Sequence, residues 1–238
     1  YVVYGLLGLT VIGLIAVFGF GEINGAQRWI RFGTFSIQPS ELAKIALPLF
    51  LAYFLVKNEE RVGDLKTTVF PCLGVLGLLS VLIIMEPDLG TTIVLSVIFG
   101  AVYFSAGAKI VHVASVAGGM VAIAVAMVIV APWRMERVMA FVDPFKHADD
   151  AGYQVVQSLY AIGSGGVFGE GFAKGQQKLF YLPYPYSDFI FSVVGEELGL
   201  IGTLAVVLAF GLLLWRGTRA ALNATDRFGT LLGIGITT

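Results

Sequence analysis

Apolar residues gather in long runs at 1–20, 45–56, 67–85, 89–106, 110–131 and 198–215, and polar residues are concentrated in the stretches between them. Several runs approach the roughly 20 residues that a helix needs to cross a bilayer. The run at 45–56 is short, and it reaches spanning length when its helix begins near Glu41. A further run opens at Phe228 and continues to Thr238. The pattern predicts an all-α fold, a polytopic transmembrane helical bundle forming a single integral membrane domain. Its spans fall at about 1–20, 41–56, 67–85, 89–106, 110–131, 189–215 and 228–238, the last truncated. The chain reads as a fragment without a signal peptide, because it starts at Tyr1 inside an apolar run with no basic segment before it.

Counting spans assigns the loops to faces. Loops 21–40, 86–88 and 132–188 share one side, and 57–66, 107–109 and 216–227 share the other. The second set carries Lys57, Arg61, Lys66, Lys109, Arg216, Arg219 and Arg227. The first set carries Arg28 and Arg31 in a short loop and five more cations in the long one. An excess of Lys and Arg in short loops marks the cytoplasmic side, which makes 132–188 a large extracytoplasmic loop.

That loop has structure of its own. Residues 153–162 place Tyr153, Val156 and Tyr160 on one face and Gln154, Gln157 and Ser158 on another, the spacing of a short helix. A glycine-rich stretch from Gly163 to Gly171 follows. Then come Phe180, Tyr181, Tyr184 and Tyr186, broken by Pro183 and Pro185. These rings suit an aromatic belt at headgroup level or a platform on which sugars stack.

Composition agrees with the pattern. Charged residues are 13% of the chain, against about a quarter in soluble domains. The 30 glycines suit helices that approach closely in lipid. A net charge of −1 argues against a nucleic-acid partner. Cys72 is the one cysteine, which excludes a disulfide or a thiolate metal site within the chain. Neither His112 nor His147 has a companion at metal-ligand spacing. No phosphate-binding loop, nucleophile elbow or zinc motif is present.

Three polar clusters lie on the predicted outer face. The first joins GAQRW (25–29) to QPSELAK (38–44). Pro39 and Ser40 suit a helix start, with Glu41 favoured in its first turn. Glu41 and Lys44 can pair locally, or Lys44 and Arg28 can form a phosphate pocket. The second is EPDLGT (86–91), where Pro87 ends one helix and Asp88 caps the next. Glu86 is harder to place, because a carboxylate at a helix C-terminus opposes the dipole.

The third is KLFYLPYPYSDFIFSVVGEELG (178–199), with Asp188, Glu196 and Glu197. The apolar run after it, 198–215, is 18 residues long, so Glu196 and Glu197 sit at the edge of the hydrocarbon or face a polar cavity. They read as structural or ion-paired, with partners on neighbouring helices. Asp188 is eight residues earlier, about 12 Å further out, at headgroup depth. Locally it could cap the helix together with Ser187.

At these residues the chain resembles the SEDS family (shape, elongation, division and sporulation), the group of FtsW, RodA and SpoVE. The matching pieces are GAQRWI, QPSELAK, EPDLGT, ERVMAFVDPF, AGYQVVQSLYAIGSGGVFGEG and LPYPYSDFIFSVVGEELG, in that order. The resemblance implies a peptidoglycan glycosyltransferase in the bacterial cytoplasmic membrane, polymerising lipid II into β-1,4-linked glycan strands on its outer face. A class B penicillin-binding protein and other division or elongation proteins are the implied partners. RVMAFVDPF, QKLFYLP and Gly195 look closer to FtsW, and IGSGG looks closer to RodA. The family's essential aspartate maps onto Asp188. Two departures stand out: PYPYS lacks the acidic residue and histidine common before that aspartate, and EPDLG stands where QPDLG is commoner.

The chemistry that the resemblance implies fits these side chains. An acceptor hydroxyl must lose its proton as it attacks, and one carboxylate can take it. Pyrophosphate leaves without an acid, so the two-carboxylate arrangement of glycoside hydrolysis is not needed. Charge on the leaving group calls for cations. Asp188 is therefore the expected base, and Arg28, Lys44, Glu41 and Lys178 the expected substrate-binding residues. A Mg²⁺ or Mn²⁺ ion would serve the same end, and no ligand set follows from the sequence. The rival reading is a flippase for a lipid-linked oligosaccharide. Against it, the acids gather on one face rather than at the midplane, and there is no inverted repeat.

Overall fold

The computed structural model describes residues 1–21, 27–32, 35–150, 152–176 and 188–238. Among them are nine α-helices and one small hairpin. The helices are α1 (Val2–Ala16), α2 (Pro39–Lys57), α3 (Phe70–Met85), α4 (Leu89–Ser105), α5 (Ile110–Val130), α6 (Pro132–Val142), α7 (Tyr153–Gly165), α8 (Ile190–Leu222) and α9 (Arg227–Thr237). The hairpin joins β1 (Ile30–Phe32) to β2 (Phe35–Ile37) antiparallel, with Ile30 opposite Ile37 and Arg31 opposite Ser36. The chain forms two compact parts, Tyr1–Ala124 with Leu214–Thr238, and Val125–Leu213.

In the first part α2 is the hub, packed by α1, α4 and α9. Its ends follow local chemistry. Gln38 is extended, Pro39 opens the helix where its missing N–H costs nothing, Glu41 lies in the first turn and Lys57 in the last. The core runs through Leu14, Leu47, Leu51, Leu55, Cys72, Leu79, Ile83, Leu95, Phe99, Tyr103 and Leu231. Gly235 of α9 sits on Pro48, where a Cβ would come 2.5 Å from the proline Cβ. Such close approach drives helix association in lipid, where apolar burial contributes little.

At one end of this part, Arg227 pairs with Glu59 and donates through Nη2 to the Ala106 carbonyl (2.7 Å). The Tyr103 hydroxyl donates to the Val62 carbonyl (3.1 Å). Loops 57–66 and 107–109 and the start of α9, which span counting places on one face, therefore meet there.

Outward-facing positions are apolar, among them Ile12, Ile15, Leu78, Val81, Leu208 and Phe210, and α5 buries no residue at all. Such surfaces suit apolar surroundings rather than water. Among the described residues, five stretches are long and apolar enough to cross a membrane: Val2–Gly19, Pro39–Lys57, Leu65–Met85, Ile110–Val130 and Ile190–Leu222. Helix α4, at 17 residues, is apolar and shorter. The protein is an α-helical, multi-pass membrane protein.

In the second part, α7 buries Val156, Ser158 and Ala161 and extends the expected short helix to Gly165. Helix α6 was not expected, because Arg134, Glu136 and Arg137 interrupt its apolar residues. Pro132 starts it, and both arginines lie over the Trp133 ring, at 4.8 and 5.3 Å.

Candidate functional site

The candidate residues fall in both parts of the molecule. In Val125–Leu213 the informative element is the first third of α8. Asp188 is exposed and lies two residues before the first helical residue, Ile190. The Phe189 carbonyl accepts the first helical bonds, from the N–H groups of Ser192 (3.0 Å) and Val193 (3.2 Å). Phe189 is therefore the cap position, and the expectation that Asp188 caps α8 is corrected. No hydrogen bond or ion pair of the Asp188 carboxylate occurs among the described residues.

Two turns further on, α8 breaks at Gly199, whose φ of 65° and ψ of −160° no other residue adopts readily. The break strips the helical partners from the carbonyls of Glu196 and Glu197 and from the N–H groups of Leu200 and Ile201. Unpaired backbone at membrane depth is costly, since lipid offers no water to replace the lost bonds. The loop after α7 supplies all four partners. Glu170 N–H donates to Glu196 O (2.9 Å) and Gly171 N–H to Glu197 O (3.1 Å). In return, Leu200 N–H donates to Gly166 O (2.9 Å) and Ile201 N–H to Val167 O (3.3 Å). Residues 166–171 thus run antiparallel along the gap and close it.

The two carboxylates extend this grip. Glu196 (1% exposed) accepts at Oε1 from the Gln176 N–H (2.6 Å), and Glu197 (7% exposed) accepts at Oε2 from the Ala173 N–H (3.0 Å). Their described partners are not on neighbouring helices, as the sequence suggests, but are backbone amides of the preceding loop. Lys178, the aromatic run 180–186 and Ser187 lie outside the described residues.

In the other part, Lys44 Nζ and Glu41 Oε1 pair at 2.7 Å, one helical turn apart, which is the local reading of that motif. Arg28 donates from Nε to the Glu86 carbonyl (3.0 Å) and from Nη2 to the Pro87 carbonyl (2.6 Å). Its guanidinium therefore holds the turn between α3 and α4. Asp88 caps α4 as expected, accepting from the Thr91 N–H (3.1 Å) and hydroxyl (2.8 Å).

Glu86 follows the last residue of α3 and is fully buried, and neither carboxyl oxygen has a hydrogen-bond partner among the described residues. Burial pushes its pKa up to about 8 from 4.5, with Asp88 adding to the rise and Arg28 opposing it. The group is therefore largely protonated at neutral pH. An acid raised on folding favours the folded state fully below pH 4.5, and that advantage is lost as pH rises to about 8. The thermal midpoint should fall across this window, by an amount corresponding to a few kcal/mol at most. Glu86→Gln should flatten the dependence, and an unchanged slope in that variant would contradict the assignment. Among the described residues no three of His, Cys, Asp and Glu come together as metal ligands.

Comparison with known proteins places these observations. The family model described as "cell cycle protein", covering FtsW, RodA and SpoVE, matches residues 2–238. Stage V sporulation protein E of Bacillus subtilis (strain 168) is 40% identical over 226 residues, 94% of this chain and 61% of that protein. A probable peptidoglycan glycosyltransferase FtsW of Trichlorobacter lovleyi is 40% identical over 230 residues, 96% of this chain and 60% of that one. A solved structure described as a peptidoglycan synthase complex that coordinates polymerization and crosslinking matches with a TM-score of 0.75 and 27% identity. The match covers 99% of this chain and 66% of that one. The crystal structure of the rod shape determining protein RodA of Thermus thermophilus matches with a TM-score of 0.65 and 27% identity, over 99% and 61%. The chain thus spans about three fifths of the length of the curated relatives it matches.

Proposed function

Because this chain belongs to the FtsW, RodA and SpoVE family of cell cycle proteins, we propose that its protein is a peptidoglycan glycosyltransferase of the bacterial cytoplasmic membrane. It polymerises lipid II on the outer face, with Asp188 as the general base. The supporting observation is the setting of Asp188: an exposed carboxylate, with no partner among the described residues, at the mouth of a helix whose next turns are pinned. A base must be free to accept a proton and fixed in place while it does so.

In the proposed step the C4 hydroxyl oxygen of an N-acetylglucosamine attacks C1 of the donor sugar. The C1–O bond to the lipid pyrophosphate breaks, and its electron pair leaves with the phosphate. The hydroxyl proton passes to Asp188, and attack from the face opposite the leaving group inverts the anomer. Substrate roles for Arg28, Glu41, Lys44 and Lys178 rest on the sequence. The described contacts engage Arg28 with backbone carbonyls and join Lys44 to Glu41.

Of the relatives above, the one named for an activity is named for glycosyl transfer, which weighs against the flippase reading. The relatives at 40% identity are a sporulation protein and an FtsW, while the RodA structure is at 27%. That distribution favours the FtsW-like branch. A neighbour that pairs polymerization with crosslinking supports a class B penicillin-binding protein as partner. Full-length protein in liposomes containing lipid II should yield glycan strands that a muramidase digests, provided no other polymerase is present. Translocation of lipid II to the opposite leaflet without strand formation would overturn the reading.

A further inference from the structure

The two glutamates of α8 are not used by the proposed reaction, yet they are buried and engaged with one continuous segment. The four backbone bonds across the Gly199 break already hold residues 166–171. The Glu196 and Glu197 side chains do something additional. They carry the hold forward to Ala173 and Gln176. Asp188 stands at the start of the helix that carries both glutamates. Residues 173–176 and Asp188 are therefore both referred to α8, the former through the glutamates and the latter through the chain.

Two buried carboxylates are a costly way to secure a loop that backbone bonds already hold. Their placement makes sense when the position of this loop on α8 matters for chemistry. We propose that Glu196 and Glu197 are positioning residues for glycosyl transfer: their carboxylates fix residues 173–176 against the first turns of α8, and so steady the helix start at which Asp188 stands. This rests on the proposed function.

The test uses full-length protein in lipid nanodiscs, with amide hydrogen exchange and lipid II polymerisation kinetics measured together. Glu196→Ala should raise exchange at Gln176, and Glu197→Ala at Ala173, by about tenfold or more. Both should lower kcat by about a hundredfold, with KM changed less than about threefold, because the acceptor and donor contacts are untouched. Glu196→Gln keeps a carbonyl oxygen for the Gln176 N–H and should restore protection and most of kcat. Gly175→Ala attacks the same grip from the loop side, since its Cβ would come 2.6 Å from Glu196 Oε2. It should reproduce the Glu196→Ala result even if the alanine variants of the glutamates fail to fold. Raised exchange with kcat unchanged, unchanged exchange, or a Glu196→Gln variant as impaired as Glu196→Ala would each overturn the proposal. An inactive wild type would instead remove the reading on which it rests.

Discussion

Gly199→Ala is expected to prevent the second part of the molecule from forming its native structure. Two costs add. The φ of 65° with ψ of −160° lies in a region that is essentially glycine's alone, and an alanine there costs about 1–3 kcal/mol. The added Cβ would also press on the Gly169 nitrogen and lie 2.6 Å from the Val167 carbonyl oxygen. Those atoms belong to the backbone that closes the helix break, so they cannot move without breaking the bonds at Leu200 and Ile201. Overpacking of this kind adds about 1–3 kcal/mol. Together the two terms approach the whole stability of a marginal fold.

The thermal midpoint of the purified variant, or its failure to accumulate in the membrane, measures the effect. Gly211→Ala is the control. It lies further along the same helix with nothing within 4 Å of a built Cβ, and it should leave the midpoint unchanged or slightly raised. Equal midpoints for the two variants would contradict the account of the break.

Local signals were legible in the sequence and non-local ones were not. The spans could be read because lipid demands long apolar runs. The Asp88 cap and the Glu41–Lys44 pair could be read because each closes within one helical turn. Helix α7 was visible in the spacing of Tyr153, Val156 and Tyr160, while α6 was hidden by its charged residues. The hairpin at Ile30–Ile37 was also missed, since strands of three residues are too short to show an alternation.

The Gly199 break is the instructive failure. The run 198–215 looks uninterrupted because every residue in it is apolar or small. What permits a break there is a set of hydrogen bonds from residues 166–171, about thirty positions earlier in the chain. The cue was present in the glycines that flank the glutamates, Gly195, Gly199 and Gly202. A pair of acids bracketed by glycines at a membrane boundary marks a place where another backbone comes close. For the site itself, the sequence picked out Asp188 by depth and resemblance, and it gave no sign that Arg28 reaches the carbonyls of Glu86 and Pro87, 58 and 59 positions away.

Asp188→Asn carries the second large effect. The amide has nearly the same shape as the carboxylate but cannot accept a proton at neutral pH, so the attacking hydroxyl loses its base. General-base catalysis contributes about 10²–10⁴-fold, and a loss in that range is expected, expressed in kcat. Folding should be unaffected, because the side chain is exposed and has no partner among the described residues. Changes at such positions usually shift stability by no more than about 0.5 kcal/mol. The thermal midpoint of the variant should therefore match that of the wild type, which separates lost chemistry from lost structure.

The deciding measurement is the rate at which equal amounts of full-length wild-type and Asp188→Asn protein polymerise lipid II in the same liposomes. The account predicts muramidase-sensitive glycan strands from the wild type and, over the same interval, none above background from the equally stable variant. An Asp188→Asn protein that makes strands within about tenfold of the wild-type rate would contradict it, since a general base typically contributes about 10²–10⁴-fold.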